Sequence, residues 1–135
     1  MLNALTVDVE EYFHPTEVQK AVEQRQWADL PSRIEDQLLQ VLQLLDAKRT
    51  KATFFVLGWV AERNPRAIRK IVAAGHEIGC HSHFHRLVYS LTPQEFRRDT
   101  RIAVAATFAL VLPSTPVMVT ASPLTNPWPC AVTTS

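Results

Sequence analysis

Four of the five histidines of this 135-residue chain fall within ten positions, in the stretch Gly75-His76-Glu77-Ile78-Gly79-Cys80-His81-Ser82-His83-Phe84-His85. Neutral imidazole is the commonest protein ligand for a transition metal, so this stretch is a candidate for half of a metal site. Spacing decides which members can serve. On an extended strand His81 and His85 would lie roughly 13 Å apart, too far to share one ion. On a helical turn, residues four apart bring their Cβ atoms to about 5–6 Å. A shared ion therefore requires the chain to coil directly after a short strand. A third ligand must come from elsewhere. Asp8 and Glu10 stand two apart at the end of the run Leu2 to Val9, whose apolar residues alternate as in a strand. Both then project from one face, about 6–7 Å apart, and repel unless a cation or a shared proton relieves them. Two imidazoles and one carboxylate form the open three-ligand set of hydrolytic zinc centres, and a carboxylate outside that set can accept a proton from water. A solvated acidic strand end is the plainer reading of Asp8 and Glu10.

The elements that must position these groups follow from patterning. Pro31-Ser32-Arg33-Ile34-Glu35 reads as a helix start, with Ser32 as cap and Glu35 reaching back to it. Ile34, Leu38, Val41, Leu42 and Leu45 recur at helical spacing, and Leu39 and Leu44 broaden the stripe. Lys51 to Gly58 is a nearly continuous apolar run, the pattern of a strand buried on both faces. Asn64-Pro65 opens a helix over Arg66–Ala74 that Gly75 ends in a left-handed stop. A short strand, Glu77–Cys80, precedes the histidines. Thr92-Pro93-Gln94-Glu95 forms a second capping box, opening a helix towards Ile102. Residues 16–30 suggest a short helix and a loop without evident chemistry. Repeated strand–helix units imply an α/β fold with a parallel sheet, in which sites form at the carboxyl ends of strands. Asp8, Glu10 and His81 all stand at such ends.

Composition narrows the function. The chain is sized for one domain, with 47% apolar residues and a net charge of +1. That balance gives no electrostatic footprint for nucleic acid, and no aromatic RNA-binding pattern appears. Cys80 and Cys130 form no Cys-x-x-Cys pair, and with no signal-peptide pattern at Met1–Asp8 and no apolar span before residue 101 the expected setting is a reducing cytoplasm.

With these residues in hand, the chain resembles the polysaccharide deacetylase family, the NodB-homology group of carbohydrate esterases. It looks most like the branch found with exopolysaccharide and exosortase systems. The similarity rests on Leu5 to His14, on Lys51 to Ala61, and on the stretch from Ala74 through Tyr89. It implies a distorted (β/α) TIM-like barrel that removes acetyl groups from an N-acetylated polysaccharide or oligosaccharide, with residues 1–103 as the barrel's N-terminal portion. It also implies that Asp8 is the catalytic base and that His81 and His85 bind a divalent metal, Zn²⁺ first, with Co²⁺ or Ni²⁺ as alternatives. Many family members place two adjacent acids in the first motif. Here Val9 intervenes, so the metal-binding carboxylate moves to Glu10, with Glu11 pointing to the opposite side. His76 and His83 match no ligand position and read as structural supports, and His14 as a loop residue near the mouth.

The resemblance ends near residue 103. All 14 Lys and Arg and all 13 Asp and Glu precede residue 102, and the 34 positions after Arg101 hold five of the nine prolines. Soluble domains average about a quarter charged residues. The family's later Arg-x-Pro-aromatic segment, acidic segment and late histidine have no counterpart. Residues 104–135 therefore read as a non-homologous tail of the kind a shifted reading frame produces, unstructured beyond Pro113. A genuine short variant is the alternative. Residues 102–112 fit either an extension of the helix or a substitute edge strand. Three functions stay open: a glycan deacetylase, a truncated remnant that binds metal without turnover, and a structural metal-binding fragment.

Overall fold

The computed structural model describes residues 3–111, and the greater part of the expected tail lies outside the described residues. Three parallel strands form one sheet in the order β1-β2-β3, with β1 at Thr6–Val9, β2 at Thr53–Val56 and β3 at Glu77–Cys80. Between them run α1 (Ile34–Ala47), α2 (Gly58–Arg63) and α3 (Pro65–Ala73), and α4 (Pro93–Phe108) follows β3. Short 3₁₀ turns at Val18–Lys20, Gln24–Asp29 and Val88–Ser90 complete the connections. None of the described helices is long and apolar enough to cross a membrane.

Each helix boundary has a local cause. The Thr92 side chain accepts from the Glu95 N–H while the Glu95 carboxylate accepts from the Thr92 N–H, the expected capping box, with Pro93 in the first turn. Pro65 occupies the first turn of α3, and Gly75 leaves it with φ +71°. At α1 the expected box does not form. Ser32 Oγ lies 3.4 Å from the Ile34 N–H, and the buried carboxylate of Glu11 instead accepts from the Arg33 N–H at 3.1 Å. A carboxylate at a helix N-terminus satisfies a free donor and interacts favourably with the positive end of the helix dipole, so it supplements the long Ser32 contact. α2 begins directly at Gly58, where the apolar run ends, and is a helix that the sequence pattern does not announce. α4 continues through the change of composition to Phe108, so residues 102–108 extend the helix rather than add a strand.

The core lies on one face of the sheet. Val9, Phe54 and Val56 pack with Ile34, Leu38, Leu42 and Leu45 of α1 and with Ala67, Ile68 and Ile71 of α3. Leu39 and Leu44, expected to widen the α1 stripe, are exposed, because the sheet and α3 cover only the narrower 34/38/42/45 face. The register aligns Asp8 with Phe55 and Phe55 with Gly79. This row lies on the opposite face, where the Phe55 ring covers Gly79: a Cβ at 79 would stand 2.6 Å from Phe55 Cδ1. On that face Thr6, Asp8 and Glu77 are exposed and Thr53 and Phe55 only half-buried. The expectation that β2 is buried on both faces is thus corrected. Its alternate residues, buried and partly exposed in turn, show helices covering one side only among the described residues.

Candidate metal centre

β1 and β3 deliver the site through the ladder that joins them to β2. The pairing carries on beyond the strands' formal ends: Leu57 N–H donates to Val9 O at 3.2 Å and His81 N–H to Val56 O at 3.1 Å. Glu10 and His81 therefore flank Leu57 two residues beyond the Asp8 level, which is the next row on the Asp8 face. After His81 the chain coils, as a shared ion requires, but not as a helix. Ser82 and His85 take φ values of +59° and +54°. Left-handed conformations at residues other than glycine cost on the order of 1–3 kcal/mol each, so surrounding contacts must impose them. The turn carries His85 back over His81, with ring centroids 5.0 Å apart.

Glu10, His81 and His85 each offer a ligand atom, and these atoms lie within 4.8 Å of one another. Glu10 Oε2 lies 3.3 Å from His85 Nε2. Glu10 Oε2, His81 Nε2 and His85 Nδ1 are buried and take part in no hydrogen bond among the described residues. Two imidazoles and a carboxylate on half-buried side chains, with ligand atoms this close together, are a donor set of hydrolytic-zinc type and suit a divalent cation. Asp8, one row back, is exposed and makes no hydrogen bond or ion pair among the described residues. Glu11 points away to α1, on the side expected of it.

The other histidines serve separate purposes. His14 is fully buried rather than at a loop mouth. Its Nδ1 accepts from the Glu11 N–H at 2.9 Å, and its ring packs edge-on against Phe13, Trp27 and Trp59. Burial, helped by the nearby His85, pushes its pKa down to about 3, so it stays neutral and fixes the turn after Glu10. Gln19 Nε2 ties this turn to the histidine loop, donating to His14 O at 2.5 Å and to His85 O at 3.4 Å. His76 sits at the far end of the sheet, its Nδ1 accepting from the Ala52 N–H, and burial holds its pKa below the ordinary value. His83 is buried between α2 and α4, its pKa also lowered by burial against the opposing charges of Glu62 and Asp99. Gln19, Trp27 and Asp99 were not legible as parts of this region. Asp99, Ala103 and Thr107, four residues apart in turn, form the buried stripe of α4, but a polar pair around one alanine gives no apolar periodicity to read.

Residues 27–120 match the polysaccharide deacetylase family model. The chain belongs to the polysaccharide deacetylase family. The matched segment contains His81 and His85, begins after Glu10, and runs past the change in composition at residue 102. Among known relatives, a peptidoglycan-N-acetylglucosamine deacetylase of Bacillus cereus is 35% identical over 60 residues, 44% of this chain and 28% of that protein. A chitooligosaccharide deacetylase of Sinorhizobium fredii is 46% identical over 46 residues, 34% of this chain and 21% of that protein. A solved structure from Mycobacterium smegmatis, itself ascribed to the polysaccharide deacetylases, superposes with a TM-score of 0.65 at 27% identity, covering 80% of this chain and 38% of its own. The chain thus spans well under half the length of these relatives. Its α/β architecture corresponds to part of the NodB-type barrel.

Proposed function

We propose that this member of the polysaccharide deacetylase family carries the metal-binding half of an N-deacetylase site for N-acetylated glycans. The observation that carries this reading is the meeting of Glu10, His81 and His85, from the ends of two strands about seventy residues apart, with ligand atoms within 4.8 Å of one another. The two relatives are named for the N-acetylglucosamine of peptidoglycan and for chitooligosaccharides, which supports an N-acetylated glycan as substrate. Glu10, His81 and His85 would hold a divalent ion, Zn²⁺ first, with Co²⁺ or Ni²⁺ as substitutes. Such an ion would polarise the acetyl carbonyl and acidify water beside it. Asp8, on the same face one row behind, would accept the proton that this water releases. The departing amine also needs a proton, or the addition to the carbonyl reverses.

A second reading has its own observation. Asp8 is exposed and unsupported by any hydrogen bond or ion pair among the described residues. In this reading the 135-residue chain binds the ion and turns nothing over.

Two measurements separate these outcomes. Acetate release from chito-oligosaccharides and from peptidoglycan fragments, with and without Zn²⁺ or Co²⁺, tests turnover by this chain. Titration of Co²⁺ into the native chain and into Glu10→Ala and His81→Ala tests the site, with at least a tenfold loss of affinity expected for each variant. Affinity unchanged in both variants removes the proposed metal centre.

A further inference from the structure

The backbone of the histidine loop is held from three sides. Gly58 N–H and Trp59 N–H, at the start of α2, donate to Ser82 O at 2.9 Å and His83 O at 3.3 Å. Within the loop, His85 N–H donates to Ser82 Oγ at 3.1 Å. The third hold comes from α4. Asp99 Oδ2 accepts from the His83 N–H at 2.8 Å, with the Asp99 side chain only 3% exposed. Its other oxygen, Oδ1, makes no hydrogen bond and lies 3.7 Å from an Arg86 guanidinium nitrogen. Asp99 is thus a buried carboxylate aimed at the middle N–H of a five-residue turn whose second and last residues are left-handed. A buried charge is retained only where hydrogen bonding or a countercharge compensates its desolvation, and here both partners, His83 and Arg86, belong to the segment that carries the metal ligands.

We infer that Asp99 is a positioning residue for the metal centre: by accepting the His83 N–H it holds the turn that brings His85 onto His81. The inference rests on the metal reading above, and assigns Asp99 no contact with the ion. The helix supplies the rigidity. Ala103, one turn on, packs so closely on Gly58 that a Cβ at 58 would stand 2.7 Å from Ala103 Cα, so α2, α4 and the turn form one clamped unit. Asparagine at 99 keeps an oxygen that can accept the same N–H, whereas alanine leaves that N–H buried and unpaired.

The test compares Co²⁺ binding by the native chain, Asp99→Asn and Asp99→Ala, followed by visible absorption, alongside thermal melting. Supporting tissue around a metal site typically affects affinity by about 10–100-fold. Asp99→Ala is expected to weaken Co²⁺ by at least about tenfold and to broaden or shift the Co²⁺ bands, while Asp99→Asn stays within about threefold of native. Native affinity and spectrum in Asp99→Ala overturn the inference, as does an Asp99→Asn loss equal to that of a folded Asp99→Ala. Hydrogen exchange at the His83 amide of the native, metal-free chain gives a reading that needs no variant. Protection of about a hundredfold or more supports the clamp, and exchange at the unstructured rate overturns it, whatever the folding of Asp99→Ala. A native chain that binds no Co²⁺ yet protects His83 overturns the metal reading and leaves the clamp standing.

Discussion

Replacing Gly58 by alanine probes the joint between fold and site with a single methyl group. Gly58 opens α2, and its N–H donates to Ser82 O. The new Cβ would lie 2.5 Å from His83 Nδ1, 2.7 Å from Ala103 Cα and 3.1 Å from Ala103 Cβ. The imidazole is itself fixed by burial, and the α4 backbone cannot swing aside. Overpacking of this kind costs about 1–3 kcal/mol, and two rigid walls place it near the upper end. Alanine's better helix propensity returns at most about 1 kcal/mol, less in a first turn. The net loss is about 2 kcal/mol, a fall in Tm of roughly 8 °C for a domain of this size. The control is Gly75→Ala. There φ is +71° but the nearest atom to a new Cβ is the flexible Lys51 Nζ at 3.5 Å, so only a backbone cost of about 1 kcal/mol remains. Melting followed by circular dichroism and Co²⁺ titration read both effects. Gly58→Ala should lower Tm about twice as far as Gly75→Ala and also weaken Co²⁺ binding, whereas Gly75→Ala leaves it unchanged. A Gly58→Ala chain that melts like the native protein and binds Co²⁺ equally well refutes the packing argument.

Two further predictions concern the Glu10 side. Glu11→Ala removes the carboxylate that accepts from the Arg33 N–H at the start of α1, and should cost about 0.5–2 kcal/mol in urea unfolding at an unchanged m value. Glu11→Gln keeps an acceptor and should lose less; equal losses would show that the cap is not what Glu11 contributes. His14 gives a pH signature. Its folded pKa of about 3 lies below the ordinary 6.5, so between those values the unfolded chain binds a proton that the folded chain does not. Its contribution is therefore complete above pH 6.5 and falls with acid by up to about 1.4 kcal/mol per pH unit. His14→Gln should flatten the pH dependence of unfolding between pH 6.5 and 4 by that amount, and an unchanged slope would contradict the burial of His14 as a neutral ring.

What could be read from the sequence is what short-range chemistry determines. Thr92 and Glu95 find each other within one turn, Pro65 needs only its own ring, and Gly75 only its missing Cβ, so these boundaries stand where local rules place them. The strand Glu77–Cys80 and the coil after it also follow from local pattern together with the requirement that His81 meet His85. The failures involve partners distant in sequence. Ser32 looks like the cap of α1, but Glu11, twenty-two residues away, supplies the charge. Gly58 marks the end of the apolar run, but nothing local announces that a helix starts there, because Trp59 to Ala61 are as apolar as the strand before them. The burial of only one face of β2 depends on what covers the sheet, which no run of residues encodes by itself. Asp99 reads as one more charged residue of an exposed helix until the fold places the histidine turn beneath it.

The same distinction divides the candidate site. Glu10 is fixed through the buried turn that Glu11, His14 and Gln19 hold against α1 and the histidine loop. His81 and His85 are fixed by the ladder to β2, by α2 and by Asp99. Every contact that shapes the three ligands comes from the helix-covered side of the sheet or from the turns at its carboxyl edge. Asp8 shares the ligands' face two residues back, at an exposed level of β1 where the described residues provide no neighbour to orient a carboxylate. A metal centre needs its ligands preorganised, and these are; a general base needs its carboxylate aimed within hydrogen-bonding reach of the water it deprotonates, and here nothing aims it. Ion affinity and turnover should therefore respond to different parts of the chain. Substitutions at Asp99 and Gly58 should move the first, whereas Asp8→Asn should leave Co²⁺ affinity within about threefold of native, since Asp8 is outside the ligand set; a loss at Asp8 as large as that at Glu10 would mean that the ion sits one row deeper than the three converging side chains indicate.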